Sequence, residues 1–245
     1  MRSASLAWLL DLAGMDTFVL KGGYKAYRHF IRQEMGAPAP MIVLAGKTGS
    51  GKTDILQAIA QRGHQVIDLE KIANHKGSVF GSLGKTPQPT NEQFENDLYH
   101  LWQKLDLTRP VWIEDESLSI GTITIPEPIY NRLITSQVIE IDLDFSQRVL
   151  RLVKEYSAFS DEDLVSCIKR ITKKLGGDNT RKATDSVREG NDHLTAEILL
   201  TYYDKAYEKS LQKRMGHVRH TCLHLQQDDP ERNAHLILTK YSTED

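Results

Sequence analysis

The segment GKTGSGKT, residues 46–53, has the residue types and the spacing of a loop that binds phosphate. It fits the pattern G-x-x-x-x-G-K-[ST] in full, follows a run of apolar residues and opens a helical pattern. Its glycines let successive backbone N–H groups turn inward around a phosphate oxygen, and the start of the helix adds a partial positive charge. Lys52 contributes a cation, and the Thr53 hydroxyl can reach a magnesium ion. We therefore expect phosphate to be bound by the whole loop: Gly46, Lys47, Thr48, Gly49, Ser50, Gly51, Lys52 and Thr53.

Carboxylates for such a metal are expected where a neighbouring strand ends. The apolar stretch VWI runs into three successive acidic residues, Glu114, Asp115 and Glu116. A solvated strand end is the alternative, but three carboxylates in a row exceed what solubility requires. We choose Asp115 as a catalytic residue that faces the metal, and we predict that Thr53 and Asp115 together hold Mg²⁺.

The loop DLEKIANHKGSVFGS, residues 68–82, is a second source of functional groups. Ligands of open α/β sheets bind beyond the carboxyl ends of the strands, and a predicted strand ends at Asp68. Asp68 and His75 are candidate catalytic residues, although a single histidine can equally be structural. Gly77 and Gly81 allow close approach of the backbone. Candidates for contact with the substrate are Asn74, Lys76 and Ser78.

A basic segment, KRITKKLGGDNTRK at residues 169–182, carries six basic residues against one acidic residue. Together with basic residues of the preceding helix, it could form a stripe that follows a phosphate backbone. A solvated helix face is the alternative reading. The candidates for contact with RNA are Arg148, Arg151, Lys169, Arg170, Lys173 and Lys174.

Composition limits the other possibilities. The formal net charge of −2 over 245 residues argues against nucleic-acid binding by overall charge, so any such binding needs a local basic face. The two cysteines, Cys167 and Cys222, provide no disulfide framework and indicate a reducing compartment. Cys167 borders an apolar stripe and is predicted to fill the core. No segment is long and apolar enough to span a bilayer, so we expect a cytoplasmic protein without a membrane partner.

Apolar periodicity predicts the elements that position these residues. Strands are predicted at 17–20, 41–46, 65–69, 111–115, 137–143 and near 217–225. Helices are predicted at 3–13, 24–35, 54–62, 90–105, 126–134, 145–156, 161–175 and 193–214, and Thr90 with Gln93 has the spacing of a capping box. Strands separated by helices predict an α/β fold with a parallel sheet covered on both faces, followed by added C-terminal helices.

These residues together carry a resemblance to a known family. The phosphate loop, DLEKIANHKGSVFG and EDESLSIG resemble the second domain of bacterial tRNA 2-selenouridine synthase, and the ANHKGS.FG stretch is specific to that family. The opening MRSASLAWLLDLAGMDTFVLKGGYKAYRHF resembles the last part of a rhodanese domain. The resemblance runs from residue 1 to about 215. It implies a C-terminal remnant of a rhodanese-like domain at 1–35, a linker at 36–40 and a P-loop NTPase-like domain at 41–245.

The resemblance also implies a reaction. The family acts on 2-thiouridine at the wobble position of certain tRNAs. It geranylates the sulfur with geranyl diphosphate and then replaces the geranylthio group with selenium from selenophosphate. By this resemblance, geranyl diphosphate and selenophosphate are expected as co-substrates, with Mg²⁺, and a tRNA containing 2-thiouridine is the expected partner.

The sequence departs from the family at the catalytic cysteine, which there lies a few residues before the segment matching Met1. Arg2 and Ser3 match the remnant of the loop that holds the selenium donor. We therefore expect a chain that starts inside a domain, retains geranyl transfer, and has lost selenation or needs a separate rhodanese chain for it. Two other function classes stay open: a P-loop small-molecule kinase or NTPase, which would turn over ATP without RNA, and a non-catalytic module that binds tRNA or a partner.

Overall fold

A sheet of five parallel strands forms the centre of the structure. It is seen in a computed structural model of the chain that describes residues 2–212 and 218–244. The described residues form seven strands in all: β1 (Met41–Gly46), β2 (Gln65–Ile67), β3 (Val111–Glu114), β4 (Ser119–Ile120), β5 (Ile123–Thr124), β6 (Gln137–Leu143) and β7 (His220–Leu225). The parallel sheet has the order β2-β3-β1-β6-β7, and β4 pairs with β5 as a separate antiparallel hairpin. The predicted parallel sheet is confirmed.

Twelve helices surround the sheet in the described part of the chain. They are α1 (Arg2–Leu12), α2 (Gly23–Glu34), α3 (Lys52–Gln61), α4 (Leu69–Ile72), α5 (Asn91–Trp102), α6 (Glu127–Thr135), α7 (Phe145–Tyr156), α8 (Asp161–Arg170), α9 (Thr172–Leu175), α10 (Gly177–Arg188), α11 (Asp192–Gln212) and α12 (Pro230–Glu244). The Thr90 side chain caps α5 by accepting a hydrogen bond from the Gln93 N–H at 3.2 Å, as the spacing predicts. None of these helices is long and apolar enough to cross a bilayer.

Both faces of the sheet are covered, which explains why β1 is apolar throughout. Successive side chains of a strand point to opposite faces. Val43 and Ala45 belong to a core with α5 and α6, whereas Ile42 and Leu44 belong to a second core with α3 and α12. A sheet buried on both sides therefore requires the continuous apolar run of β1.

The added helices form a third core. Side chains of α7, α8, α10 and α11 pack around Val149, Cys167, Leu199 and their neighbours. Cys167 is fully buried there, so its predicted role in the core is confirmed.

The first 35 residues are divided between packed and exposed parts. Ile31 and Met35 are fully buried against the P-loop domain. Arg32 forms two hydrogen bonds, at 2.9 and 2.7 Å, with the buried Glu95 of α5, and Arg28 contacts the same carboxylate at 2.7 Å. Helix α2 is therefore held to α5 by two arginines that converge on one buried carboxylate.

Preceding α2, large apolar side chains lie on the surface. More than half of each is exposed in Leu6, Trp8, Leu9, Leu12, Met15 and Phe18. The predicted strand at 17–20 does not form: this segment has no regular structure, and Phe18 is 97% exposed. A strand needs a neighbour to take up its hydrogen bonds, and the apolar pattern of 17–20 finds none among the described residues.

Other boundaries also differ from the predictions. The predicted helix 161–175 ends at Arg170 and resumes as α9, and α10 and α12 were not predicted. The predicted strand near 217–225 begins as β7 at His220, and residues 213–217 lie outside the described part.

Candidate functional site

The phosphate loop connects β1, in the middle of the sheet, to α3. Gly51 precedes α3 with a φ of 78°, in the left-handed region that glycine adopts without strain. Lys52 turns back across the loop, and its Nζ donates a hydrogen bond to the Gly46 carbonyl at 2.7 Å. The loop is therefore closed on itself, with the lysine at its mouth.

A cavity of about 560 Å³ opens in front of this loop. It is bounded by the ends of β1, β2 and β3 on one side and by α7 and α11 on the other. The predicted site residues that line it are Gly46, Thr48, Gly49, Ser50, Gly51, Lys52, Thr53, Asp68, Asn74, Lys76, Ser78, Asp115 and Arg151. The structure therefore brings these candidates together around one cavity.

Two glutamates that are not among the sequence-based candidates lie next to the loop. Thr53 Oγ1 donates a hydrogen bond to Glu70 Oε2 at 3.1 Å. Glu116 lines the cavity and shares a hydrogen bond with Glu70. The Glu70 N–H in turn donates to Glu114 Oε1 at 2.6 Å, so the buried Glu114 fixes the start of α4 from behind.

These acidic groups hold protons more tightly than isolated carboxyls do. Burial raises the pKa of Glu116 to about 8, with the charge of Glu70 adding to the effect and that of Lys52 opposing it. Burial likewise raises the pKa of Glu70, against the opposing charge of Lys52 and the hydrogen bond from Thr53. Burial, followed by the charge of Asp68, places the pKa of Glu114 well above its usual range. A cation bound here would favour the ionised forms.

Hard oxygen ligands are what Mg²⁺ prefers, and the cavity offers the Thr53 hydroxyl with the carboxyls of Glu70, Asp115 and Glu116. The chemistry of these oxygen donors fits the predicted ion. Asp115 lines the cavity, and its assignment as the residue that faces the metal stays a prediction. Among the described residues, however, no group of three or more His, Cys, Asp or Glu side chains is arranged to hold a metal ion.

Asp68 and His75 have local structural partners. Asp68 caps α4, because its Oδ1 accepts a hydrogen bond from the Lys71 N–H at 2.8 Å. His75 is 7% exposed, lies behind the cavity wall, and accepts a hydrogen bond on Nδ1 from the Gly77 N–H at 3.1 Å. Their catalytic roles stay predictions.

The three remaining candidates of the 68–82 loop, Asn74, Lys76 and Ser78, line the cavity and form contacts that fix the loop. Asn74 has a φ of 50° and donates hydrogen bonds to the carbonyl and hydroxyl oxygens of Thr86 at 2.7 and 2.9 Å. The Lys76 ammonium contacts Glu155 at 3.2 Å. Ser78 Oγ accepts a hydrogen bond from the Phe80 N–H at 3.2 Å.

Arg148 corrects the prediction of one continuous basic stripe. It is only 3% exposed, and its guanidinium forms a two-bond pair with Asp204 at 2.8 and 2.7 Å and donates to the Thr48 carbonyl at 3.2 Å. A buried, fully paired arginine cannot lie on a surface that follows a phosphate backbone. Instead, Arg148 braces the phosphate loop against α11.

Lys47 braces the loop in the same way. Its ammonium pairs with Glu208 of α11 at 3.0 Å, and that hydrogen bond raises the lysine pKa. Arg151 faces the cavity but is held by Asp54 and by Asp228, the latter at 2.8 Å.

The other basic candidates lie outside the cavity lining. Lys169, Arg170, Lys173 and Lys174 are exposed on α8 and α9. Of the selenium-donor candidates, Ser3 is exposed at the start of α1, and the side chain of Arg2 lies outside the described residues.

Aromatic rings form the part of the cavity wall that the sequence analysis did not identify. Phe80, Tyr156, Phe159, Tyr203 and Tyr207 all line it. The rings of Phe80 and Tyr156 lie 5.0 Å apart, and Tyr203 Oη accepts a hydrogen bond from the Val79 N–H at 3.3 Å. The cavity thus has a polar, phosphate-binding side and an apolar, aromatic side.

The glycine-rich loop between a central parallel strand and a helix, with acidic groups at the neighbouring strand end, defines a P-loop protein. Comparison with known families is more specific: residues 39–224 match the family described as tRNA 2-selenouridine synthase AAA domain, and the chain belongs to this family.

Curated relatives carry the same family name. The tRNA 2-selenouridine synthase of Shewanella denitrificans is 33% identical over 249 residues, which cover 87% of this chain and 66% of the relative. That of Marinobacter nauticus is 32% identical over 245 residues, covering 86% and 65%. The chain thus spans about two thirds of the length of these relatives.

Solved structures are more distant. A shikimate kinase from Bacteroides thetaiotaomicron shares 17% identity, with a TM-score of 0.39 over 83% of this chain and 98% of its own. A tRNA delta(2)-isopentenylpyrophosphate transferase from Staphylococcus epidermidis shares 12%, with a TM-score of 0.41 over 84% of this chain and 100% of its own.

Proposed function

We propose that this chain catalyses geranyl transfer from geranyl diphosphate to the sulfur of 2-thiouridine at the wobble position of tRNA. The observation that carries the proposal is the two-sided cavity, in which a phosphate loop faces an aromatic wall. A diphosphate ester of an apolar alcohol has the same two-sided chemistry. The family membership supports tRNA as the acceptor.

The polar side suits the leaving diphosphate. Backbone N–H groups of the loop, the ammonium of Lys52 and the start of α3 all present positive charge to it. Mg²⁺ held by Thr53 and Asp115, or by Glu70 and Glu116, would neutralise charge that develops on the diphosphate as the C–O bond breaks.

The aromatic side suits the geranyl chain. Leu152 and Tyr156 lie one helical turn apart on α7, and Leu152 lies beside Gly49 of the phosphate loop. An apolar chain that starts at the phosphate loop could therefore run along α7 towards Phe159 and lose its contact with water.

The exposed basic side chains of α8 and α9 are the candidate tRNA contacts. Lys169, Lys173 and Lys174 lie on the surface, and the first turn of α8 is acidic, so the positive charge is local. Asn74, Lys76 and Ser78 are candidates for contact with the nucleotide that enters the cavity.

Selenation is proposed to need more than this chain. Cys167 is buried, and burial raises the pKa of its thiol. Cys222 is exposed on β7 outside the cavity lining, and desolvation together with the negative charges of Glu140 and Asp142 raises the pKa of its thiol. A poor thiolate away from the cavity is not suited to the second step. Selenophosphate chemistry is therefore proposed to need a nucleophile from outside these 245 residues, as a rhodanese domain or a separate rhodanese chain would supply, and Arg2 and Ser3 stay candidates for contact with the selenium donor.

One incubation tests the reaction. The purified chain is mixed with thiolated tRNA, geranyl diphosphate, Mg²⁺ and selenophosphate, and the nucleosides are identified by mass after digestion. We expect S-geranyl-2-thiouridine without 2-selenouridine. Selenouridine formed by the chain alone would show that one of its own residues supplies the second step.

Lys52→Ala tests the assignment of the site, with Lys104→Ala, an exposed lysine, as the matched control. We expect Lys52→Ala to weaken geranyl diphosphate binding about 10- to 100-fold, because a hydrogen bond to a charged group contributes about 1.5–3 kcal/mol. Calorimetry that detects ATP but no geranyl diphosphate binding to the unchanged chain would favour the small-molecule kinase.

A further inference from the structure

His75 lies at the junction of three backbone segments around the candidate site. Its own N–H donates to the Glu70 carbonyl at 2.9 Å, which anchors it to the end of α4. Its Nδ1 accepts from the Gly77 N–H at 3.1 Å. His75 therefore links the helix that carries Glu70, through its backbone N–H, to the loop that follows, through its imidazole.

Glycines surround this imidazole because there is no room for a side chain. A Cβ atom on Gly81 would lie 2.8 Å from both Cε1 and Nδ1 of His75. A Cβ on Gly121, in the β4–β5 hairpin, would lie 2.9 Å from Cδ2. The ring is thus enclosed between two loops whose backbones approach it directly.

Gly77 lies between the His75 ring and the carboxyl groups of Glu70 and Glu116. Its φ is 66°, and a Cβ atom there would lie 2.8 Å from Glu70 Oε1 and 2.9 Å from Glu116 Oε1. The Gly77 backbone therefore forms the wall against which both carboxyl groups rest.

The protonation of His75 agrees with its role as an acceptor. Burial lowers its pKa, and the positive charges of Lys85 and Arg170 lower it further. A neutral imidazole with its proton on Nε2 has a free lone pair on Nδ1, as the bond from Gly77 requires.

We propose that His75 is a positioning residue: by accepting the Gly77 N–H, it holds the Gly77 backbone against Glu70 and Glu116 and so fixes both carboxyls in front of Lys52 and Thr53. It acts through Gly77 and does not touch the substrate, since it does not line the cavity. The role of the two carboxyls in turnover rests on the proposed geranyl transfer, whereas the role of His75 in holding Gly77 does not.

Three substitutions of His75 distinguish the effect of its hydrogen-bond acceptor from the effect of its ring volume. In His75→Asn the amide oxygen can occupy the position of Nδ1, in His75→Gln the acceptor lies one bond further out, and His75→Leu has no acceptor. Gly81→Ala is a fourth variant, which keeps the histidine but crowds both its ring and the backbone nitrogen of Lys76.

Hydrogen exchange of the peptide containing Gly77 is the readout that is independent of any reaction. We expect protection to be retained in His75→Asn and to fall about 5-fold in His75→Gln, His75→Leu and Gly81→Ala, because one hydrogen bond contributes about 1 kcal/mol. Unchanged protection in the folded Gln and Leu variants would overturn the proposal.

Kinetics supply the functional readout. We expect kcat for geranyl transfer to fall about 10-fold or more in the Gln and Leu variants, with the KM for geranyl diphosphate within about 3-fold of its original value. The Asn variant should keep most of the activity. If His75→Asn keeps the Gly77 N–H protected but loses as much activity as His75→Leu, the proposed positioning role of His75 is also overturned. If the unchanged chain transfers no geranyl group, the proposed function fails, and hydrogen exchange still decides the role of His75.

Discussion

Glu70 accepts a hydrogen bond from Thr53, the hydroxyl residue of the phosphate loop, at 3.1 Å. The two residues come from different helices, α3 and α4, whose starts meet at the carboxyl ends of β1 and β2. The contact places a carboxylate at the hydroxyl that is expected to bind Mg²⁺. Glu70 therefore joins Asp115 as a candidate for holding the metal.

Glu70→Gln tests this relationship. We expect the Mg²⁺ concentration needed for half-maximal pyrophosphate binding to rise about 10-fold, because the amide keeps the size of the side chain but loses its negative charge. Asp115→Asn is compared directly, and Glu127→Gln, an exposed glutamate on α6, is the control. Isothermal titration calorimetry measures all three. A larger effect of Asp115→Asn would show that Asp115, as predicted from the sequence, contributes more to Mg²⁺ binding than Glu70 does.

Glu116 should make the stability of the ligand-free protein depend on pH. Its pKa is raised from 4.5 to about 8 in the folded protein, so the folded state binds its proton more tightly than the unfolded state does. The stabilisation from this group is complete below pH 4.5 and is lost as the pH rises through about 8.

Urea unfolding between pH 6 and pH 9 measures this effect on the free energy of unfolding. We expect Glu116→Gln to flatten the pH dependence by at least about 1 kcal/mol, since one unit of pKa corresponds to about 1.4 kcal/mol. Parallel curves for the variant and the unchanged chain would place the titrating group elsewhere.

The ion pair of Arg148 with Asp204 should contribute strongly to stability. Only 4% of the arginine side chain and 16% of the aspartate side chain are exposed. Arg148→Met leaves a buried carboxylate without its partner, so we expect a loss of about 3 kcal/mol in the free energy of unfolding.

The control for that experiment is Arg181→Met, which removes an exposed pair with Asp178. Their side chains are 71% and 87% exposed, so we expect a change below about 0.5 kcal/mol. The double variant Arg148→Met with Asp204→Leu should recover part of the loss, because no buried charge remains. Equal costs for the single and double variants would contradict an ion-pair explanation.

Lys169→Glu combined with Lys173→Glu tests the basic face. We expect tRNA affinity to fall about 10-fold and its dependence on salt to become less steep, because fewer counterions are released on binding. Lys25→Glu with Lys104→Glu changes the net charge equally at exposed sites on other elements. Equal losses in both pairs would indicate an effect of overall charge and exclude a local contact at α8 and α9.

The sequence predicted features that depend on local pattern and missed those that depend on distant partners. The phosphate loop and β1 were found because glycine spacing and an apolar run lie next to each other. Glu70 was missed because it lies in α4, a helix of four residues, which is too short for any periodicity. Only the folded sheet brings it to Thr53.

Arg148 illustrates the same limit for charge. A basic residue on an amphipathic helix is expected to be exposed. Arg148 is buried because it pairs with Asp204, which lies 56 residues away in the sequence and could not be recognised as its partner from local pattern. Helix α12, which was not predicted either, could have been found from the sequence. It begins with Pro230, and its apolar residues have helical spacing: Ala234, Ile237, Leu238 and Tyr241.

Helix α2 has a consequence for how the molecule unfolds. Ile31 and Met35 are enclosed by the core that also contains Val43 and Leu98. Helix α2, which belongs to the segment that resembles the end of a rhodanese domain, therefore packs into the core of the P-loop domain. We expect α2 and the P-loop domain to unfold together as one cooperative unit. A fragment trimmed to begin at Met41 would lose these side chains and leave an open, water-filled groove along α5. Domain limits taken from sequence resemblance alone would thus cut through a single folding unit.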